Sequence, residues 1–108
     1  MTEGRLKQLQ TLLAESPSDP FLAFAIAKEY YKIGDKERAR EEYENLVKNQ
    51  PAYPGTYYHL GKLYEELNQP DKAIHIYKAG LAATNRPDTR HEYNELKGAL
   101  VNLDDEEY

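Results

Sequence analysis

Three histidines, His59, His75 and His91, have the widest chemical repertoire in this chain, because imidazole serves both as metal ligand and as general base. Their spacing makes no close motif for either task. His59 and His91 can approach one another across a groove, but two imidazoles without a placed third ligand make a weak metal site. Cysteine is absent, which excludes disulfides and thiolate metal centres. The chain has no Gly-rich phosphate loop, nucleophile elbow or zinc motif. The expectation is therefore a protein without enzymatic activity, cofactor or metal. The residues left with chemistry to offer are Lys28 and Lys62, 34 positions apart, each with aromatic neighbours. Ammonium groups among aromatic rings suit a peptide segment with an apolar anchor and a nearby carboxylate.

The interval between those lysines runs through most of the chain. A step of 34 residues takes Pro17 to Pro51, Pro20 to Pro54, Tyr30 to Tyr64, Ala39 to Ala73 and Tyr43 to Tyr77. It also pairs Ile26 with Leu60 and Ala27 with Gly61. Small residues and aromatics at fixed offsets in such a period predict stacked helical hairpins. Each hairpin buries its apolar face against its neighbours and leaves a concave surface open to a partner.

The helices follow from spacing and punctuation. Ala23, Ile26, Tyr30 and Ile33 fall on one face of a helix that Asp19 caps, Pro20 begins and Gly34 ends. A second helix runs from about Lys36 to Asn49 with Ala39, Tyr43, Leu46 and Val47 inward. The next hairpin repeats the plan with Tyr57, Leu60, Tyr64 and Leu67, then Ala73, Tyr77 and Leu81. Tyr30, Tyr43, Tyr57, Tyr64, Tyr77 and Tyr93 take core positions. The charged run 37–44 reads as the outer face of a helix, supported by Arg38–Glu42 and Arg40–Glu44 pairs.

Both ends continue the phase. Residues 3–16 read as an N-terminal capping helix, the lone second helix of a preceding hairpin, with Arg5 at the position of Ala39. A charged side chain there implies that no hairpin partner packs against it. Repeat 1 spans 20–53 and repeat 2 spans 54–87. A two-residue insertion separates Thr84 from Pro87, and Tyr93, Leu96, Leu100 and Leu103 then form a C-terminal capping helix over 88–103. Lys97 stands there where Ala27 and Gly61 stood. Residues 104–108, Asp104, Asp105, Glu106, Glu107 and Tyr108, form an acidic tail, read as a solvated end. The sharper alternative is a mimic of an acidic ligand that enters the groove of a neighbouring molecule.

Composition bounds the partners. At 108 residues, with 40% hydrophobic and 31% charged residues, the chain suits one soluble domain. The net charge of −5 argues against nucleic acid, because phosphate binding needs a basic surface. No apolar run approaches the roughly 18 residues that span a bilayer. The polar start, residues 1–10, lacks a signal-peptide core, which favours a cytoplasmic location.

These residues resemble the tetratricopeptide repeat. Tyr57, Leu60, Gly61 and Tyr64, followed by Ala73 and Tyr77, match its pattern closely. Ala23, Ile26, Ala27 and Tyr30, followed by Ala39, Tyr43 and Pro51, match it fairly, with departures at Ala23, where the family has Trp, and at Leu46 and Gly80. The resemblance covers about Glu3 to Leu103 and implies an all-α, right-handed superhelix of six helices that acts as a protein–protein adaptor. Stepping two residues back from each core position turns about 200° around a helix and locates the groove stripe. That stripe is Phe21, Phe24, Lys28 and Tyr31, then Gly55, Tyr58, Lys62 and Glu65, then His91, Asn94, Gly98 and Val101. With His59, these supply the expected peptide-binding residues: Phe21, Phe24, Lys28, Tyr31, Tyr58, His59, Lys62, His91 and Asn94. The bland alternative has Phe21 and Phe24 packing under the N-terminal helix. Family members that clamp acidic chaperone C-termini carry Lys, Asn and Arg at five sites occupied here by Phe24, Lys28, His59, His91 and Glu95. None matches, so that subfamily is not expected. The partner is a protein or peptide, and the chain a monomer or weak homo-oligomer. The competing function is a structural module that self-associates through an end helix.

Overall fold

The computed structural model describes residues 2–103, with side chains from Gly4 onward. The acidic tail, 104–108, lies outside the described residues. Six α-helices follow in chain order: α1 (Thr2–Glu15), α2 (Pro20–Lys32), α3 (Lys36–Asn49), α4 (Gly55–Glu66), α5 (Pro70–Ala83) and α6 (Arg90–Leu103), with a 3-10 turn at Pro87–Thr89. Among the described residues there is no strand, and no helix is long and apolar enough to cross a membrane. The chain forms two compact units that divide after Gln50, so α1–α3 make the first and α4–α6 the second. The last helix starts later than the expected 88 because Pro87–Thr89 winds more tightly.

In the first unit α2 and α3 form the hairpin, and α1 packs on α2. Asp19 accepts hydrogen bonds from the Phe21 and Leu22 amides at 2.9 and 3.4 Å, with Pro20 at the first helical position. Asp35 accepts from the Arg38 amide at 3.1 Å. These carboxylates satisfy amides that a helix start leaves unpaired. The core holds Leu9, Ile26, Ala27, Tyr30, Ala39, Tyr43 and Leu46. Ile33, expected on that face, is 37% exposed because it sits at the helix end as the C-cap.

The second unit buries Tyr57, Leu60, Leu63, Tyr64, Ala73, Ile76, Tyr77, Leu96, Ala99 and Leu100. Tyr93, expected in the core, is only half-buried and lines a shallow surface pocket with Thr84, Arg86 and Arg90. The inserted residues after Thr84 are held by two buried hydroxyls. Thr84 Oγ1 donates to the Gly80 carbonyl at 2.8 Å, and Thr89 Oγ1 to the Thr84 carbonyl at 2.6 Å.

Both hairpin turns use the same C-terminal motif one repeat apart. Gly34, at φ 93°, and Asn68, at φ 60°, are left-handed. The amides that follow, Asp35 and Gln69, both return to the carbonyl of the last core tyrosine, Tyr30 or Tyr64, at 2.9 Å. Such a cap pairs carbonyls that the helix end leaves free. Glycine meets that backbone without strain, and asparagine tolerates it better than other residues do. Gly34→Ala is expected to cost about 1 kcal/mol and Gly34→Asn about half of that, read from urea midpoints. Equal midpoints for all three chains would remove this account of the turn.

Candidate peptide-binding faces

On the first unit, α2 carries Phe21, Phe24, Lys28 and Tyr31 along one side, as the helical spacing demands. Phe21 is 61% exposed and Tyr31 40%. Phe24 is half-buried, its ring tilted against Tyr43 at 5.9 Å. It therefore leans on α3 as well as facing outward. Lys28 Nζ stands 5.6 Å above the Phe24 ring, an attraction of ammonium to the negative ring face.

The flank of this stripe towards α1 holds a feature absent from the sequence-level expectations. Glu29 is buried, at 2% exposure, and its Oε1 lies 3.5 Å from Arg5 Nε and 4.0 Å from Lys32 Nζ. Among the described residues its Oε2 has no hydrogen-bond partner. Arg5 is thus not idle: it partners a carboxylate whose burial alone would cost several kcal/mol. Phe21, Phe24 and Lys28 come together with Arg5, Glu29 and Lys32 around one recess; Tyr31 lies outside it. The signal in the sequence was a pair of departures of opposite sign. Glu29 stands where the second repeat has buried Leu63, and Arg5 where the hairpins have Ala39 and Ala73.

On the second unit, α4 repeats the aromatic–lysine device, with Lys62 Nζ 5.8 Å above the Tyr58 ring. His59 stands edge-on to Tyr58 at 5.8 Å. Lys62 also approaches Glu65 Oε2 at 3.9 Å, and that oxygen accepts from the Tyr77 hydroxyl at 2.5 Å. Burial first, and then the bond to Glu65, raise the Tyr77 phenol pKa above its ordinary value. A ligand carboxylate at Lys62 therefore competes with Glu65, whereas position 31 on α2 is a tyrosine and leaves Lys28 without an acidic neighbour there. On α6, Asn94 is exposed, and His91 turns to Glu95 of its own helix at 3.6 Å. The described residues hold no group of three His, Asp or Glu able to bind a metal ion.

The charged run on α3 forms the expected Arg40–Glu44 pair and differs from the expectation at Arg38. Arg40 binds Glu37 at 2.7 Å and Glu44 at 2.9 Å, but Arg38 lies over the Tyr30 ring at 5.4 Å instead of reaching Glu42. Burial holds the Glu42 carboxyl above its ordinary pKa, with Arg38 pulling it part of the way back. The same stacking recurs one repeat later, where Lys72 lies 5.9 Å over Tyr64.

Helical hairpins with matching core, caps and surface pairs define a helical-repeat protein. Family models described as "TPR repeat" and "Tetratricopeptide repeat" match residues 27–68 and 54–85. A tetratricopeptide repeat domain protein of Salinibacter ruber is 41% identical, covering 80% of this chain and 96% of that one at a TM-score of 0.76. A TPR repeat-containing protein of Pseudomonas aeruginosa is 29% identical over 96% of this chain and 95% of its own. PcrH of the same organism, crystallised with the chaperone binding region of PopD, shares the fold at 15% identity. It covers 99% of this chain and 81% of its own, at a TM-score of 0.86. The chain belongs to the tetratricopeptide repeat family.

Proposed function

We propose that this protein is a non-catalytic interaction module in which the exposed face of α2, and separately that of α4, binds a short, acidic segment of another protein. The observation that carries the reading is the repetition of one device. Phe24 with Lys28 and Tyr58 with Lys62 set an ammonium over an aromatic ring at the same repeat position. A ring offers apolar contact, and its lysine adds charge complementarity to a carboxylate. The fold neighbour PcrH, solved with a region of another protein, PopD, supports a protein segment as the partner. Each face is short, so affinity on the order of micromolar is expected.

A displayed peptide library tests this. Selected peptides are expected to be acidic around an apolar residue, and to lose affinity on Lys28→Glu more than on Lys62→Glu, because Glu65 already engages Lys62. Thermal stability should stay unchanged in both, since both side chains are exposed. Binding that ignores both substitutions and responds to Glu37, Arg40 or Glu44 places the function on α3 instead. A second reading, self-association through an end helix, draws support from Leu12 on α1 and Val101 on α6, which are 48% and 44% exposed.

A further inference from the structure

The recess between α1 and α2 gathers three cations, Arg5, Lys28 and Lys32, against one carboxylate, Glu29. It is a positive spot on a chain of net charge −5. Phe21 at its edge is the most exposed of the large apolar side chains described. The occupant that matches is an acidic segment carrying an aromatic ring. One such segment is in the chain itself: Asp104, Asp105, Glu106, Glu107 and Tyr108 place four carboxylates beside a tyrosine. We propose that the α1–α2 recess of one molecule receives residues 104–108 of a second copy, joining molecules head to tail. The inference rests on the reading of the α2 face as a binding surface, and goes beyond it by naming a ligand and a consequence.

The chemistry assigns each part a task. Lys28 and Lys32 meet the carboxylates, and Arg5, 59% exposed along its side chain, exchanges part of its contact with Glu29 for a ligand oxygen. Phe21 receives the Tyr108 ring, and Phe24 forms the floor beside it. Glu29 opposes the acidic ligand in charge, so the contact is weak and readily reversed. A head-to-tail contact uses two different surfaces, so one molecule engages two others and association grows with concentration.

The experiment compares sedimentation of the 108-residue chain with that of the same chain carrying D104N/D105N/E106Q/E107Q across a concentration series. Average mass should rise with concentration in the first and not in the second. The rise should shrink at about 0.5 M salt, where screening acts within a few ångströms. Lys28→Glu with Lys32→Glu should abolish it. Titrating the neutralised chain with the amidated peptide Asp-Asp-Glu-Glu-Tyr should move the NMR signals of Phe21, Ala25 and Lys28. Its affinity should fall by about fivefold or more on Lys28→Glu and rise on Glu29→Gln. Identical monomeric profiles for both chains, or peptide-induced shifts away from α1 and α2, overturn the proposal. If library-selected peptides bind α2 while this peptide does not, the inference fails and the proposed function stands. If neither binds, both fail.

Discussion

Gly61→Leu is expected to destabilise the second unit by about 3 kcal/mol, the upper end of the range for overpacking a filled core. A β-carbon at position 61 would overlap the edge of the Tyr77 ring. Tyr77 is itself fully buried, and its hydroxyl is tied to Glu65 at 2.5 Å, so the ring cannot swing aside without breaking that bond. Even Gly61→Ala should lose stability, although alanine is favoured over glycine in a helix by about 1 kcal/mol. In the first repeat the same position is Ala27, buried in the same core as Tyr43; the second repeat has closed the gap further. Far-UV circular dichroism on heating checks this, with a fall in melting temperature of about 4–8 °C for each kcal/mol in a domain of this size. An unchanged melting temperature for Gly61→Leu would mean that α4 and α5 do not approach at this point.

Gly80→Leu should cost about as much, and Tyr57→Ala should return part of the loss. A β-carbon at Gly80 would stand 2.6 Å from Tyr57 Cβ and 2.8 Å from Leu96 Cδ1. The Leu96 atom is the end of a flexible side chain, and Tyr57 Cβ remains in alanine, but Tyr57→Ala removes the Cγ at 2.9 Å and the ring beyond it, which frees space for the outer atoms of the new leucine. The first repeat has the opposite arrangement at the same two positions, Ala23 with Leu46, and both line one recess between the α1–α2 turn and α3. Large-with-small in one repeat has become small-with-large in the other. The two departures from the family pattern therefore compensate each other. Removing the Tyr57 ring alone leaves a cavity and frees the Pro51 carbonyl that its hydroxyl binds at 2.5 Å, at about 3–5 kcal/mol. The double substitution should be more stable than the sum of the single effects predicts, with a coupling of about 1–3 kcal/mol from urea unfolding. Strict additivity would show that the two positions do not share space.

The 34-residue period determined the hairpins and the core from Ile26 to Tyr77, and local punctuation the cap at Asp19, whereas the cap at Asp35 emerged only in the structure. Each feature legible in the sequence follows from a local rule: a face repeats every few residues, a carboxylate caps a nearby amide, and small residues oppose aromatics. The same register placed Phe24, Lys28, Tyr58 and Lys62 on the outer side of their helices. Asn68 shows a limit of local reading, since a left-handed asparagine announces itself less plainly than Gly34 does.

Tertiary structure alone decided which charges meet. Arg5 had been read as a residue with nothing to pack against. Glu29 looked like one more acid on an acidic chain until α1 crossed α2 and buried it against that arginine. Lys28 and Lys62 are identical in register, yet only Lys62 shares its carboxylate neighbour with a tyrosine from the next helix. Arg38 lies over a ring on α2, from where it still acts on Glu42 through charge. Helical periodicity specifies which side of its own helix a residue occupies. Whether a charge there is solvated, paired or buried depends on what the neighbouring helix brings within about 4 Å, where Coulomb and desolvation energies are decided.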